Sequence, residues 1–174
     1  MPGQQPSRRK FLLAAPLLLL PAGCSTYKLG LPEGPPFNSV HVEVVKNSSF
    51  APLMQGELTR ALRETFATGP SHVRLGAAEA SDATLSITVD NYRRRMATTN
   101  PKDTGEPNSY HLEIFAKATL VDNRTGKTYF KGRPFRQSIR SFGSDLLPER
   151  ERQNLPLLAR DLAKDIYEEV TTAW

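Results

Sequence analysis

From Asp82 to Tyr92, Ala83, Leu85, Ile87 and Val89 fall on one side of an extended chain, and Asp82, Thr84, Ser86, Thr88 and Asp90 fall on the other. Alternate residues share a face of a strand, so this pattern specifies a strand buried on one face and open on the other. The same period returns in Tyr110, Leu112, Ile114, Ala116, Ala118 and Leu120. It appears again between Ser39 and Lys46, where Val40, Val42 and Val44 alternate with His41, Glu43 and Lys46. Every such strand needs a layer over its apolar face, and two segments with helical spacing supply it. Met54, Leu58, Ala61, Leu62 and Phe66 occupy half of a helical wheel, with Glu57, Arg60, Arg63 and Glu64 opposite. Leu155, Leu158, Ala159, Leu162, Ala163, Ile166 and Val170 form a second stripe on a helix expected from near Asn154 to Thr172, with Pro156 in its first turn. The expected fold class is α+β: a two-layer sandwich with both helices on one face of a four- or five-stranded mixed or antiparallel sheet. The other sheet face is polar and stays free.

Turn chemistry connects these elements. Gly69-Pro70 stops the first helix, a short strand follows at His72–Leu75, and a turn lies around Ala77–Ser81. Thr98–Ser109 contains Asn100-Pro101, Asp103, Gly105 and Pro107, the composition of a long, mobile hairpin tip. Asp122-Asn123-Arg124-Thr125-Gly126 is a tighter reversal that needs a left-handed Gly126. The strand after it, from Lys127 to about Phe142, carries Gly132 and Pro134 and so belongs at an edge or a bulge. A loop from Gly143 to Pro148 precedes the last helix.

The first 23 residues have a different character. Ser7-Arg8-Arg9-Lys10 precedes an apolar run from Phe11 to Leu20, broken only by Pro16, and Pro21-Ala22-Gly23 leads to Cys24, the only cysteine among 174 residues. Ten residues at helical rise span about 15 Å, half a bilayer core, which is a signal peptide rather than a membrane span. Cys24 directly after Ala22-Gly23 resembles a lipobox, in which the thiol is acylated and the leader is cut before it; Pro21 stands where a Leu is usual. The basic front resembles a twin-arginine signal and equally suits general secretion, and the two routes stay open. Residues 1–23 are thus read as signal peptide, 24–38 as a lipidated N-terminus and Gly/Pro-rich tether, and 39–174 as one domain. A single cysteine excludes a disulfide framework and multi-cysteine zinc sites. Of the net charge of +5, Arg8, Arg9 and Lys10 supply three. The remaining charge of about +2 is too small to argue for nucleic acid as a partner.

Motifs for phosphate loops, dinucleotide fingerprints, zinc proteases, calcium loops and Gly-x-Ser-x-Gly nucleophiles are absent from the sequence. His41, His72 and His111 fall on three separate strands without metal-ligand spacing. Asp145, Glu149 and Glu151 lie in an Arg-containing loop and helix start, where acids serve solvation and the helix dipole. No enzyme activity, cofactor or metal is expected. The densest charge in the domain is Arg93-Arg94-Arg95, with Arg93 and Arg95 on one strand face and Arg94 on the other. It reads as a solvated strand end or a guard against edge pairing, and alternatively as a phosphate contact suited to the guanidinium fork. Lys131, Arg133, Arg136 and Arg140 add basic groups further along the sheet, interleaved with Tyr129, Phe130 and Phe135.

Several pieces in order resemble the LptE family of lipopolysaccharide-assembly lipoproteins. They are Cys24 followed by Tyr27-Lys28-Leu29-Gly30, Val40–Val44 ahead of Asn47, and Glu57-Leu58-Thr59-Arg60-Ala61-Leu62. Next come Ala83-Thr84-Leu85 leading to Tyr92-Arg93-Arg94, the Thr125-Gly126-Lys127 reversal, and Leu158-Ala159-Arg160-Asp161-Leu162-Ala163 running to Trp174. The resemblance spans Cys24 to Trp174. It implies two helices on a four-stranded sheet, anchored through Cys24 to the inner leaflet of the outer membrane. It further implies a plug inside a large outer-membrane β-barrel partner (LptD-like), which the lipoprotein helps to fold, and binding of lipopolysaccharide in transit. Glycolipid contacts implied by position are Lys102 in the hairpin tip and Arg150 before the last helix. Arg93, Arg94 and Arg95 join them as candidates from charge density. A periplasmic lipoprotein module that activates a cell-wall synthase is the alternative reading.

Overall fold

The computed structural model describes residues 34–100, 103–142 and 147–172. Cys24 and the expected leader, and Lys102, lie outside those residues. The elements are β1 (Ser39–Val42), β2 (Lys46–Asn47), α1 (Met54–Thr68), β3 (Arg74–Leu75), β4 (Ala83–Asn100), β5 (Asp103–Asp122), β6 (Thr128–Phe142) and α2 (Leu147–Thr172). The sheet runs β3-β1-β4-β5-β6, with β2 also on β4. β1 is parallel to β3 and β4, whereas β4, β5 and β6 are antiparallel in sequence, so the sheet is mixed. Its strand count is six rather than four or five, because the one strand expected over Ser39–Lys46 divides into β1 and the two-residue β2 beside the short β3.

The two-layer sandwich holds. α1 packs over β1, β2 and β3, α2 over β5 and β6, and the helices pack against each other. Val40, Val42, Leu85, Ile87, Val89, Leu112, Ile114 and Leu120 are buried from the sheet; Met54, Leu58, Leu62, Phe66, Leu155, Leu158, Leu162, Ile166 and Val170 are buried from the helices. The small side chains of Ala116, Ala118, Ala159 and Ala163 are buried in the same core.

Four departures from the sequence reading have local causes. The expected strand Ser39–Lys46 is interrupted at residues 43–45: Val44 is 54% exposed and Val45 is buried instead. The Val45 N–H donates to the Thr59 hydroxyl on α1 at 3.0 Å, which compensates the ladder bond given up by leaving the sheet. The hairpin expected to open at Thr98 stays paired to Asn100↔Asp103, through register shifts at Thr98, Thr99 and Asn100 that accommodate Pro107 opposite Thr99. His72 precedes β3 rather than sitting in it. Finally, α2 begins at Leu147, so Pro156 lies inside the helix and Arg150 is helical rather than in a loop. Pro156 has no N–H to give the Arg152 carbonyl, and Arg152 and Gln153 are exposed, so the loss falls on a solvent-facing stretch of the helix. Gly132 at φ 63 makes the bulge, and β6 is the edge strand, as its Gly and Pro imply.

Asp122 organises the β5–β6 reversal. Its Oδ1 accepts from the N–H groups of Arg124 and Thr125 at 2.9 and 2.7 Å, and its Oδ2 accepts from the Tyr129 hydroxyl at 2.8 Å. Gly126 closes the turn at φ 70. These donors, the Thr125 amide first, hold the Asp122 carboxyl down at about 2. Asp82 is likewise lowered, first by the Asn38 N–H and then by the Ser39 hydroxyl, which tie the start of β1 to β4. A carboxyl lowered in the folded chain contributes stability that is complete above its unfolded value near 4 and is lost as pH falls toward the folded value. Asp122→Asn should therefore flatten the fall of the urea midpoint between about pH 4 and pH 2 relative to wild type. Parallel pH profiles of the two proteins would remove Asp122 from the acid response.

Candidate functional site

The helices leave one sheet face uncovered, and a shift in the β4 ladder decides what that face presents. Between Val89 and Asn91 the β4–β5 register slips by one residue at Asp90. Beyond it Tyr92, Arg94 and Met96 stand opposite Ile114, Leu112 and Tyr110, on the helix side, whereas Asn91, Arg93 and Arg95 stand opposite Phe115, Glu113 and His111, on the open side. Carried across to β6, the open face reads in rows: Asn91, Phe115, Arg136; then Arg93, Glu113, Ser138; then Arg95, His111, Arg140.

Four guanidiniums on β4 and β6 thus gather around one carboxylate on β5, the strand between them. Glu113 is only 5% exposed, and its Oε1 takes Arg136 at 2.6 Å and Arg95 at 3.8 Å. Arg93 and Arg136 both lie over the ring of Phe115, at 5.1 and 5.5 Å from its centre. Arg140 lies over Phe142 at 4.9 Å, donates to the Ser109 hydroxyl at 3.1 Å, and reaches the Thr98 hydroxyl at 3.4 Å. Rings and hydroxyls fix these cations without neutralising them.

Arg94 is not part of this group. It crosses to the helix side and pairs with Glu151 of α2 at 3.6 Å. Burial pushes the nearby Tyr92 hydroxyl up, and the Glu151 carboxylate adds to that. Glu151 is therefore a buried partner of Arg94, tying α2 to β4, rather than half of an acid/base pair. Arg150 is exposed on α2, in the helical layer. On that layer a groove of about 680 Å³ runs between the helices, lined by Thr65, Gly69, Lys164, Tyr167 and Thr171 among others. Among the described residues no group of three His, Cys, Asp or Glu is placed to hold a metal ion, and no helix is long and apolar enough to cross a membrane.

Glu113 and Phe115 went unread in the sequence, yet both leave a trace there. Phe115 is an aromatic residue on the polar phase of its strand, and Glu113 is the lone acid in the run from Tyr110 to Ala116. Phe115 breaks the alternation in the direction of a covered face, whereas Glu113 keeps to the polar phase and its burial shows only once the strands are paired.

The family model described as LptE, lipopolysaccharide-assembly, matches residues 37–170. The chain belongs to the LptE family. No curated protein matches this LptE chain in sequence. Solved structures share its fold at low identity. The protein CT253 from Chlamydia trachomatis superposes with a TM-score of 0.56 at 10% identity, covering 77% of this chain and 95% of that one. A lipoprotein from Caulobacter crescentus CB15 gives 0.50 at 15% identity, covering 73% and 87%. A minor lipoprotein from Acinetobacter baumannii gives 0.50 at 16%, covering 77% and 92%. At these identities the likeness establishes the fold alone.

Proposed function

We propose that this LptE chain is a non-enzymatic outer-membrane lipoprotein, anchored through acylated Cys24. In this reading it plugs a lipopolysaccharide-export β-barrel, assists its assembly, and binds lipopolysaccharide on the way to the cell surface. The observation that carries the reading is the uncovered cationic sheet face in a domain whose match to the lipopolysaccharide-assembly family spans residues 37–170. A wedge inside a barrel must meet its surroundings through faces that its own layers leave open, and a carrier of phosphorylated glycolipid must offer cations there. Arg93 and Arg95 fit that task; Arg94, tied to Glu151, serves mainly to hold α2 on β4. Lys102 and Arg150 enter by position in the family pattern.

Affinity purification of the tagged full-length protein from detergent-solubilised membranes tests the proposal. The expected companion is a large outer-membrane protein whose gel mobility changes on boiling, as a folded barrel's does. Recovery of a cell-wall synthase in its place would favour the activator reading and sink the barrel one.

A further inference from the structure

We infer, resting on the lipopolysaccharide reading above, that the open sheet face is a phosphate-reading platform. Arg93 and Arg95 of β4 with Arg136 and Arg140 of β6 would take the phosphate groups of a phosphorylated glycolipid, and Glu113 is the positioning residue beneath them. Arg136 and Arg140 are new to the site, and they complete it.

The charge balance is the first argument. Four guanidiniums and one carboxylate leave three uncompensated positive charges on three adjacent strands. Strands lie about 4.8 Å apart and alternate residues about 6.6 Å along each strand, so the four cations share a field roughly 10 Å across the strands and about 13 Å along them. Arg93 and Arg95 lie within the screening length of about 8 Å in physiological salt and repel each other, while the wider spacings let one phosphorylated headgroup bridge cations on both strands. Protein side chains relieve little of this, since Arg93 and Arg140 rest on aromatic rings rather than on carboxylates.

Geometry supplies the second argument. A guanidinium has five N–H donors in a planar fork, and a phosphate monoester offers three acceptor oxygens with a charge between about −1.5 and −2. Bidentate Arg–phosphate pairing needs the fork held in place, which is what stacking on Phe115 and Phe142 and the bonds to Glu113, Ser109 and Thr98 provide. Among the described residues of these rows, Phe115 and Phe142 supply the rings, and the rest of the surface is charged or polar. It suits a charged headgroup and leaves acyl chains to be covered elsewhere.

The test uses the full lipidated protein in detergent, with bisphosphorylated lipid A and its dephosphorylated counterpart, equal in acyl chains, as probes. Arg93→Gln with Arg140→Gln is the first variant, because neither residue pairs with Glu113 and the thermal midpoint should hold. Binding of the phosphorylated probe should fall about tenfold or more, and its dependence on salt should flatten, while the dephosphorylated probe binds wild type and variant alike weakly. Adding Arg95→Gln and Arg136→Gln should deepen the loss. Unchanged affinity in the first variant, with wild type binding normally, would overturn the platform and leave the lipopolysaccharide reading standing. Equal wild-type affinity for both probes would overturn it as well. A wild type that binds neither probe would take down both. Loss of barrel recovery with glycolipid binding intact would assign the face to an acidic segment of the partner protein and overturn the inference.

Discussion

Phe66→Ala should cost about 3–5 kcal/mol, read as a drop in the urea midpoint at unchanged slope. Phe66 is fully buried on α1, and its ring meets that of Tyr167 on α2 edge to face, 5.1 Å apart at 69°. This contact does more than fill volume. The Tyr167 hydroxyl accepts from the Ser71 N–H at 2.8 Å, just beyond Gly69, where a Cβ would collide with the Tyr167 hydroxyl itself. Removing the Phe66 ring leaves a cavity at the junction of α1, α2 and the turn into β3, and Tyr167 cannot fill it without giving up Ser71. For a domain whose whole stability is of order 5–15 kcal/mol, a loss of that size leaves a protein near its unfolding threshold. Phe50→Ala is the matched control: Phe50 is 99% exposed, so its removal should change stability by less than about 0.5 kcal/mol. A Phe66→Ala cost below about 1 kcal/mol would mean that the helices do not close over the sheet as described.

The large features of this fold are written in periodicity, and the misses occur where periodicity is locally set aside. Val40, Val42, Leu85, Ile87, Val89 and the alternate residues of β5 reach the core as their spacing requires. Val44 does not, because a bond between the Val45 amide and Thr59 on another element draws the chain out of register, and no local pattern records that partner. The early start of α2 is hidden by Pro156, which is disfavoured inside a helix yet lies within this one. The site shows the same division. Arg93 and Arg95 on one face and Arg94 on the other follow from alternation alone. Their union with Arg136 and Arg140 depends on the one-residue slip at Asp90 and on the β5–β6 register, both of which are long-range properties. Single-strand reading finds the charges; only pairing shows which of them share a surface.

Cys24→Ala should abolish incorporation of a fatty-acid analogue and leave the variant heavier than wild type by the uncut leader, residues 1–23. The size of the effect follows from chain solvation. Each methylene buried in a bilayer contributes about 0.8 kcal/mol; one chain holds a protein only reversibly, and two or more make attachment effectively permanent. None of the described helices is apolar and long enough to span a bilayer, and the exposed arginines of the sheet hold a membrane surface only through forces that about 1 M salt screens to within roughly 3 Å. The wild type should therefore stay in the membrane pellet through a high-salt wash. A version exported behind a cleavable leader without Cys24 should leave the pellet in the same wash. The two attachments, greasy and ionic, are thus separable in one experiment, because salt weakens the second and leaves the first untouched. A wild-type protein that takes up no label and washes free would show that Cys24 is an ordinary thiol, and the anchored wedge would have to be replaced by a diffusing one.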